Sequence, residues 1–166
     1  MNAAELFQAH PEADAVLSDL RKTRRDAYRA ASTLLASRRK LRPAFLEKKP
    51  LPERHRWLVG ELTRRSNLDV STEILQSWLM TSREGMLVAF LDSLKIPHDG
   101  KGLIESLPDE PPEADLEAAV DALLQSWPSW EVSVYLNLFC EMDIAQWPRL
   151  REIVSRRLKS PPPSQT

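Results

Sequence analysis

Glycine, cysteine and long apolar runs are scarce in this 166-residue chain, and each scarcity removes a class of function. Four glycines occur, at positions 60, 85, 100 and 102, too few for the glycine-rich loops that bring backbone amides up to a phosphate. The one close pair, Gly100 and Gly102 in HDGKGL, fits neither the P-loop nor the dinucleotide-binding spacing and reads as a turn. A single cysteine, Cys140, excludes an internal disulfide framework and lies in an apolar run, where a free thiol behaves as a small hydrophobe. The three histidines, His10, His55 and His98, are far apart and lack metal-ligand spacing, so neither a metal nor a cofactor is expected. Asp92, His98 and Asp99 can meet at one helix end, where His98 reads as a cap.

Catalytic patterns are equally thin. No G-x-S-x-G elbow is present. The acids between Asp109 and Asp121 fall in a loop and on the polar face of a helix, without the burial or close charge that shifts a carboxyl group for acid–base work. The expectation is therefore a protein that is not an enzyme. No apolar run approaches the roughly 20 residues of a membrane span, and the opening MNAAELFQAHPEAD carries no basic segment followed by an apolar one. A cytoplasmic location without membrane association follows as the expectation.

What the chain does have is leucine, alanine, arginine and glutamate in quantity, a helix-favouring mixture. Its thirteen prolines cluster at apparent element boundaries and in the closing Pro161 to Pro163, where helical proteins tolerate them. The spacing predicts one long amphipathic helix from Glu12 to about Arg42, preceded by a short turn at Ala3 to Ala9, and a short piece at Ala44 to Lys48. It then predicts helices from Pro52 to about Arg65 and from about Asp69 through Trp78. Thr81 and Glu84 have capping-box spacing ahead of a nearly all-apolar helix from Glu84 to Lys95. A short helix through Leu103 and Leu107 follows, then one from Pro112 to Trp127, a second all-apolar one capped by Ser129, and a last one from Trp147 to Leu158. The fold expectation is a single compact all-α domain of about seven helices over residues 1–159, with 160–166 a disordered proline-rich tail.

The tetrapeptide LQSW occurs twice, at Leu75 to Trp78 and Leu124 to Trp127. Each copy lies on an amphipathic helix, and each is followed by an apolar one, at an offset of 49 residues that falls to 45 between Phe90 and Tyr135. The order of helix types thus repeats, the mark of a duplicated helical unit or of two amphipathic helices sharing a short match.

The net charge of −1 conceals two opposed segments. From Arg21 to Arg65, fifteen Lys and Arg stand against four acids, a net of +11; from Asp99 to Asp143, one Lys stands against eleven acids, a net of −10. The absence of catalytic constellations points to a non-enzymatic helical module that binds a protein partner of unknown identity. The alternative is nucleic acid or another polyanion, held by the basic helix through Arg21, Arg24, Arg25, Arg29, Arg38, Arg39 and Lys40. Against that alternative stand the sequence pI near 6.3 and the lack of a nucleic-acid-binding signature. Trp130 and Trp147, at helix starts, are candidate partner contacts, whereas Trp78 and Trp127 fall on core stripes. The opposed segments also suit a salt-sensitive homo-oligomer.

Overall fold

The computed structural model describes residues 1–142 and 146–158; the expected disordered tail lies outside them. Among the described residues there are ten α-helices, two short 3-10 turns and no strand, so the all-α expectation holds with three more helices than anticipated. No helix among the described residues is long and apolar enough to cross a membrane. The contacts divide the chain into two compact units, Met1–Ser82 and the part from Arg83 onward.

The first unit holds α1 (Ala3–Ala9), α2 (Asp14–Thr23), α3 (Arg25–Arg38), α4 (Pro43–Glu47), α5 (Leu51–Leu62) and α6 (Leu68–Ser82). Its hub is α6, which packs on α1, α2, α3 and α5. The stripe Val70, Ile74, Leu75 and Trp78 is buried, as its i, i+4 and i+3 spacing predicts. The Trp78 indole donates to Asp19 Oδ2 at 3.1 Å, giving a fully buried ring its polar partner. Asn2 and Glu5 form a capping box at the start of α1.

The long basic helix expected over 12–42 is instead two helices broken at Arg24, whose backbone stands at φ −138° and ψ 65°. The reason is tertiary. A continuous helix over residues 14–38 would be roughly 37 Å long, against roughly 22 Å for α6, on which both α2 and α3 pack. Arg24 N–H closes α2 on Leu20 O, Arg24 O accepts the first bond of α3 from Tyr28 N–H, and the Arg24 guanidinium holds Asp26. At its far end α3 closes with Leu41 N–H on Ala36 O, which places Lys40 in the left-handed region at φ 56°.

The second unit holds α7 (Glu84–Ser93), α8 (Glu113–Ser126), α9 (Ser129–Glu141) and α10 (Pro148–Arg157). Helix α7 packs on α8, α9 packs on α8 and α10, and α10 also meets α8. Its aromatic centre joins Phe90, Tyr135 and Phe139 edge-on at 5.6–6.2 Å, with Trp147 5.3 Å from Phe139. Every residue from Glu131 to Cys140 is buried. The charge among them, Glu131, accepts two 2.6 Å bonds from Arg83.

Three local expectations are overturned here. The segment through Leu103 and Leu107 is not a helix: the Asp99 carboxylate accepts from the N–H groups of Lys101 and Leu103, while Asp99 N–H donates to Leu103 O, a loop closure that competes with helix. Thr81 forms no capping box; its hydroxyl donates back to Ser77 O within α6. Ser129 is the first residue of α9 rather than its cap, which is Pro128. The two LQSW copies sit differently, Trp78 buried inside α6 and Trp127 half-buried in the extended residue that ends α8.

Candidate functional site

Their carboxylate partners sort the predicted arginines into two groups. Arg24, Arg38 and Arg39 are held by acids of their own surroundings: Asp26 at 3.1 Å, Asp69 at 2.6 Å and Glu61 at 3.3 Å. Arg38 is the most tightly used, since it also donates to Asn67 Oδ1 and Ser66 O, and its guanidinium draws the Asp69 carboxyl down to about 2. Lys40 forms the left-handed end of α3 and belongs to neither group.

Arg21, Arg25 and Arg29 behave otherwise. They follow one another at four-residue intervals across the α2–α3 junction and line a cleft of about 300 Å³ whose other wall includes Arg54 of α5. Arg21 and Arg25 have no acid partner among the described residues. Arg29 meets Glu47 at 4.0 Å with both side chains well exposed, a contact of little energetic consequence. Arg54 donates to Glu47 O at 2.5 Å and Lys49 O at 3.2 Å, while its Nε–H is buried with no acceptor. Four guanidinium groups against one carboxylate leave the lining with a net of +3. Pro43 adds apolar surface, over the buried Leu46. On the same helix as Leu46, Phe45 is 55% exposed with Lys49 Nζ 5.0 Å above its ring.

A polar chain, buried at Tyr28 and His55 and ending at the exposed Asp14, runs from Tyr28, which also lines the cleft. Its hydroxyl lies 3.1 Å from His55 Nε2, and His55 Nδ1 lies 3.4 Å from Asp14 Oδ1. Burial lowers the His55 pKa, an effect that Asp14 opposes and that Arg21 and Arg54 reinforce. In the neutral ring the Asp14 contact assigns the proton to Nδ1, so Nε2 accepts from the Tyr28 hydroxyl. Burial pushes the Tyr28 phenol up, with Arg54 opposing.

In the second unit, Pro97, His98, Asp99 and Ile104 contribute to an open basin of about 740 Å³. His98 Nε2 lies 2.8 Å from Asp92 Oδ1, and His98 Nδ1 accepts from Gly100 N–H at 3.0 Å. Both ring nitrogens are therefore engaged, Nε2 by Asp92 of α7 and Nδ1 by the loop. Among the described residues no group of three or more His, Cys, Asp or Glu is placed to hold a metal ion. The Cys140 thiol is buried and pushed up to about 11 by that burial, the opposite of the depressed value a nucleophilic thiol needs.

Of the two candidate tryptophans, Trp147 is 3% exposed and donates from Nε1 to Pro108 O at 3.1 Å, so it is a core residue and not a surface contact. Trp130, in the first turn of α9, is partly buried. Sequence reasoning missed Arg54, Tyr28, His55 and Phe45. The four-residue spacing of Arg21, Arg25 and Arg29 is visible in the chain, but Arg54 joins them only through the packing of α5 on α3. No family model, curated protein or solved structure matches this chain.

Proposed function

We propose that the chain is a non-enzymatic helical interaction module, acting in the cytoplasm, that binds an acidic segment of a protein partner in the arginine cleft of its first unit. The observation that carries this reading is the pairing of an under-neutralised cluster, Arg21, Arg25, Arg29 and Arg54, with an exposed aromatic, Phe45, on the helix that forms part of the same wall. Arginine and aromatic side chains together are what binding hot spots are built from. The engaged nitrogens of His98 and the raised Cys140 thiol support a role without chemistry of its own.

The test is a photo-crosslinking residue in place of Phe45 or Thr33, used in living cells. A discrete crosslinked species that disappears in the Arg25→Glu, Arg29→Glu variant is the expected result. Absence of any such species at both positions would sink the proposal.

The alternative reading is a polyanion, favoured by the regular spacing of the three arginines. It predicts retardation of single-stranded oligonucleotides with a log–log salt slope of about −2 to −3 for four phosphate contacts; no retardation at low salt removes it. A second copy of the chain fits less well as the acidic partner. Glu113 and Glu117 of α8 already meet Arg156 of α10, at 3.8 and 2.5 Å, and Asp121 bonds Arg157.

A further inference from the structure

The arginine cleft carries more positive charge than a single carboxylate offsets. Elsewhere in the chain Arg24, Arg38, Arg39, Arg83, Arg156 and Arg157 each have a carboxylate within 3.3 Å. In the cleft, four guanidinium groups share Glu47 alone, at 4.0 Å from the nearest of them. A single group that offsets most of such a lining brings nearly two negative charges and several acceptor oxygens, and acidic flanks offset the rest. A phosphoryl monoester brings about −1.5 to −2 and three strong acceptors near pH 7, where a carboxylate brings −1 and two. Guanidinium groups suit it because their planar forks bond phosphate oxygens in pairs.

We infer that this cleft is a receptor for one phosphoryl group carried on a side chain of the partner, a phosphoserine or phosphothreonine within an acidic segment. The inference rests on the reading of the cleft as a protein-binding surface. Arg21, Arg25 and Arg29 supply the exposed forks. Arg54 adds a fourth guanidinium from α5 on the other wall. Pro43 covers the aliphatic part of the modified side chain. The volume, about 300 Å³, stands at the small end of ligand pockets and suits one such group. Farther along the chain from the cleft, Arg38 and Arg39 are drawn onto Asp69 and Glu61 and are withdrawn from any longer anionic strand.

The experiment uses the full chain and three peptide libraries with the same randomised acidic flanks and a fixed central phosphoserine, serine or glutamate. Retention of the phosphoserine library should exceed that of the serine library by about tenfold or more. It should fall to the serine level in Arg25→Gln, Arg29→Gln, and persist in Arg24→Gln, whose guanidinium is paired with Asp26 outside the cleft. Arg25 and Arg29 are exposed, so the double variant keeps the fold, and circular dichroism checks it. Equal retention of all three libraries overturns the phosphoryl inference and leaves the protein-binding proposal standing. Failure of every library, while the Phe45 crosslink still captures an Arg25-dependent partner, has the same meaning; loss of that crosslink as well removes both. Inorganic phosphate binding without phosphoserine retention overturns the inference, as does a single-stranded oligonucleotide held more tightly than the phosphoserine library.

Discussion

Replacing Glu131 by alanine should be among the costlier single substitutions in the second unit. The carboxylate is 4% exposed and accepts both 2.6 Å bonds from Arg83, one from Nε and one from a terminal nitrogen. Deleting one partner of a fully buried pair costs about 3–5 kcal/mol, because the other charge loses its compensation. The Arg83 side chain is 25% exposed, so water reaches the guanidinium and the cost falls to about 2–3 kcal/mol. Glu131→Gln keeps the shape and one neutral acceptor and should cost about half as much. A double-mutant cycle with Arg83→Met should then give a coupling of about 2 kcal/mol. Urea unfolding is the assay, with the slope m unchanged at about 2 kcal/mol/M and the midpoint of Glu131→Ala lowered by about 1 M. Hydrogen exchange of the α7 and α9 amides should speed up in parallel. A midpoint shift under about 0.2 M, or a coupling near zero, would refute the claim that this pair stabilises the unit.

Other expectations concern single glycines, histidine titration and the buried thiol. Gly102→Ala should lose about 2–4 kcal/mol in thermal or urea unfolding, because φ is +89° and a Cβ would stand 2.6 Å from Leu87 Cβ; Gly60→Ala, with open space in the interior of α5, should gain about 0.5–1 kcal/mol. Burial holds the folded pKa of both His10 and His55 below the ordinary 6.5, so the unfolded chain binds more protons just under that value. Stability should therefore fall as pH drops below 6.5, and the slope should flatten in His55→Asn; an unchanged slope contradicts the assignment. Cys140, buried and raised to about 11, should resist iodoacetamide at pH 8 in the native protein and react on addition of urea; labelling of the folded chain at the unfolded rate would contradict its placement.

The helices were legible wherever apolar residues recur at helical spacing and proline marks the border. The segments α4, α5, α6, α8 and α10 begin within one or two residues of where the chain suggests. What the chain conceals are features set by contacts distant in sequence. The break at Arg24 carries no glycine or proline and follows from the length of α6. The ends of α3 and α7 place Lys40 and Lys95, not glycine, in the left-handed conformation, both at φ 56°, so the usual stop signal is missing. The candidate site was half visible: the arginine-rich stretch announces itself, but which of its members are neutralised depends on Asp69 and Glu61, and the far wall depends on Arg54.

A helix with no solvent-facing side diverges differently from its neighbours. In α3, exposed and buried positions alternate with the helical turn, so roughly half its residues can drift one at a time without disturbing the interior. From Glu131 to Cys140 no such position exists: Ser133 and Asn137 are tied to each other through the Asn137 amide, Glu131 to Arg83, and the rest to apolar neighbours. Change there comes by compensated pairs or hardly at all. In a lineage of related chains, this decapeptide would be the slowest clock in the molecule.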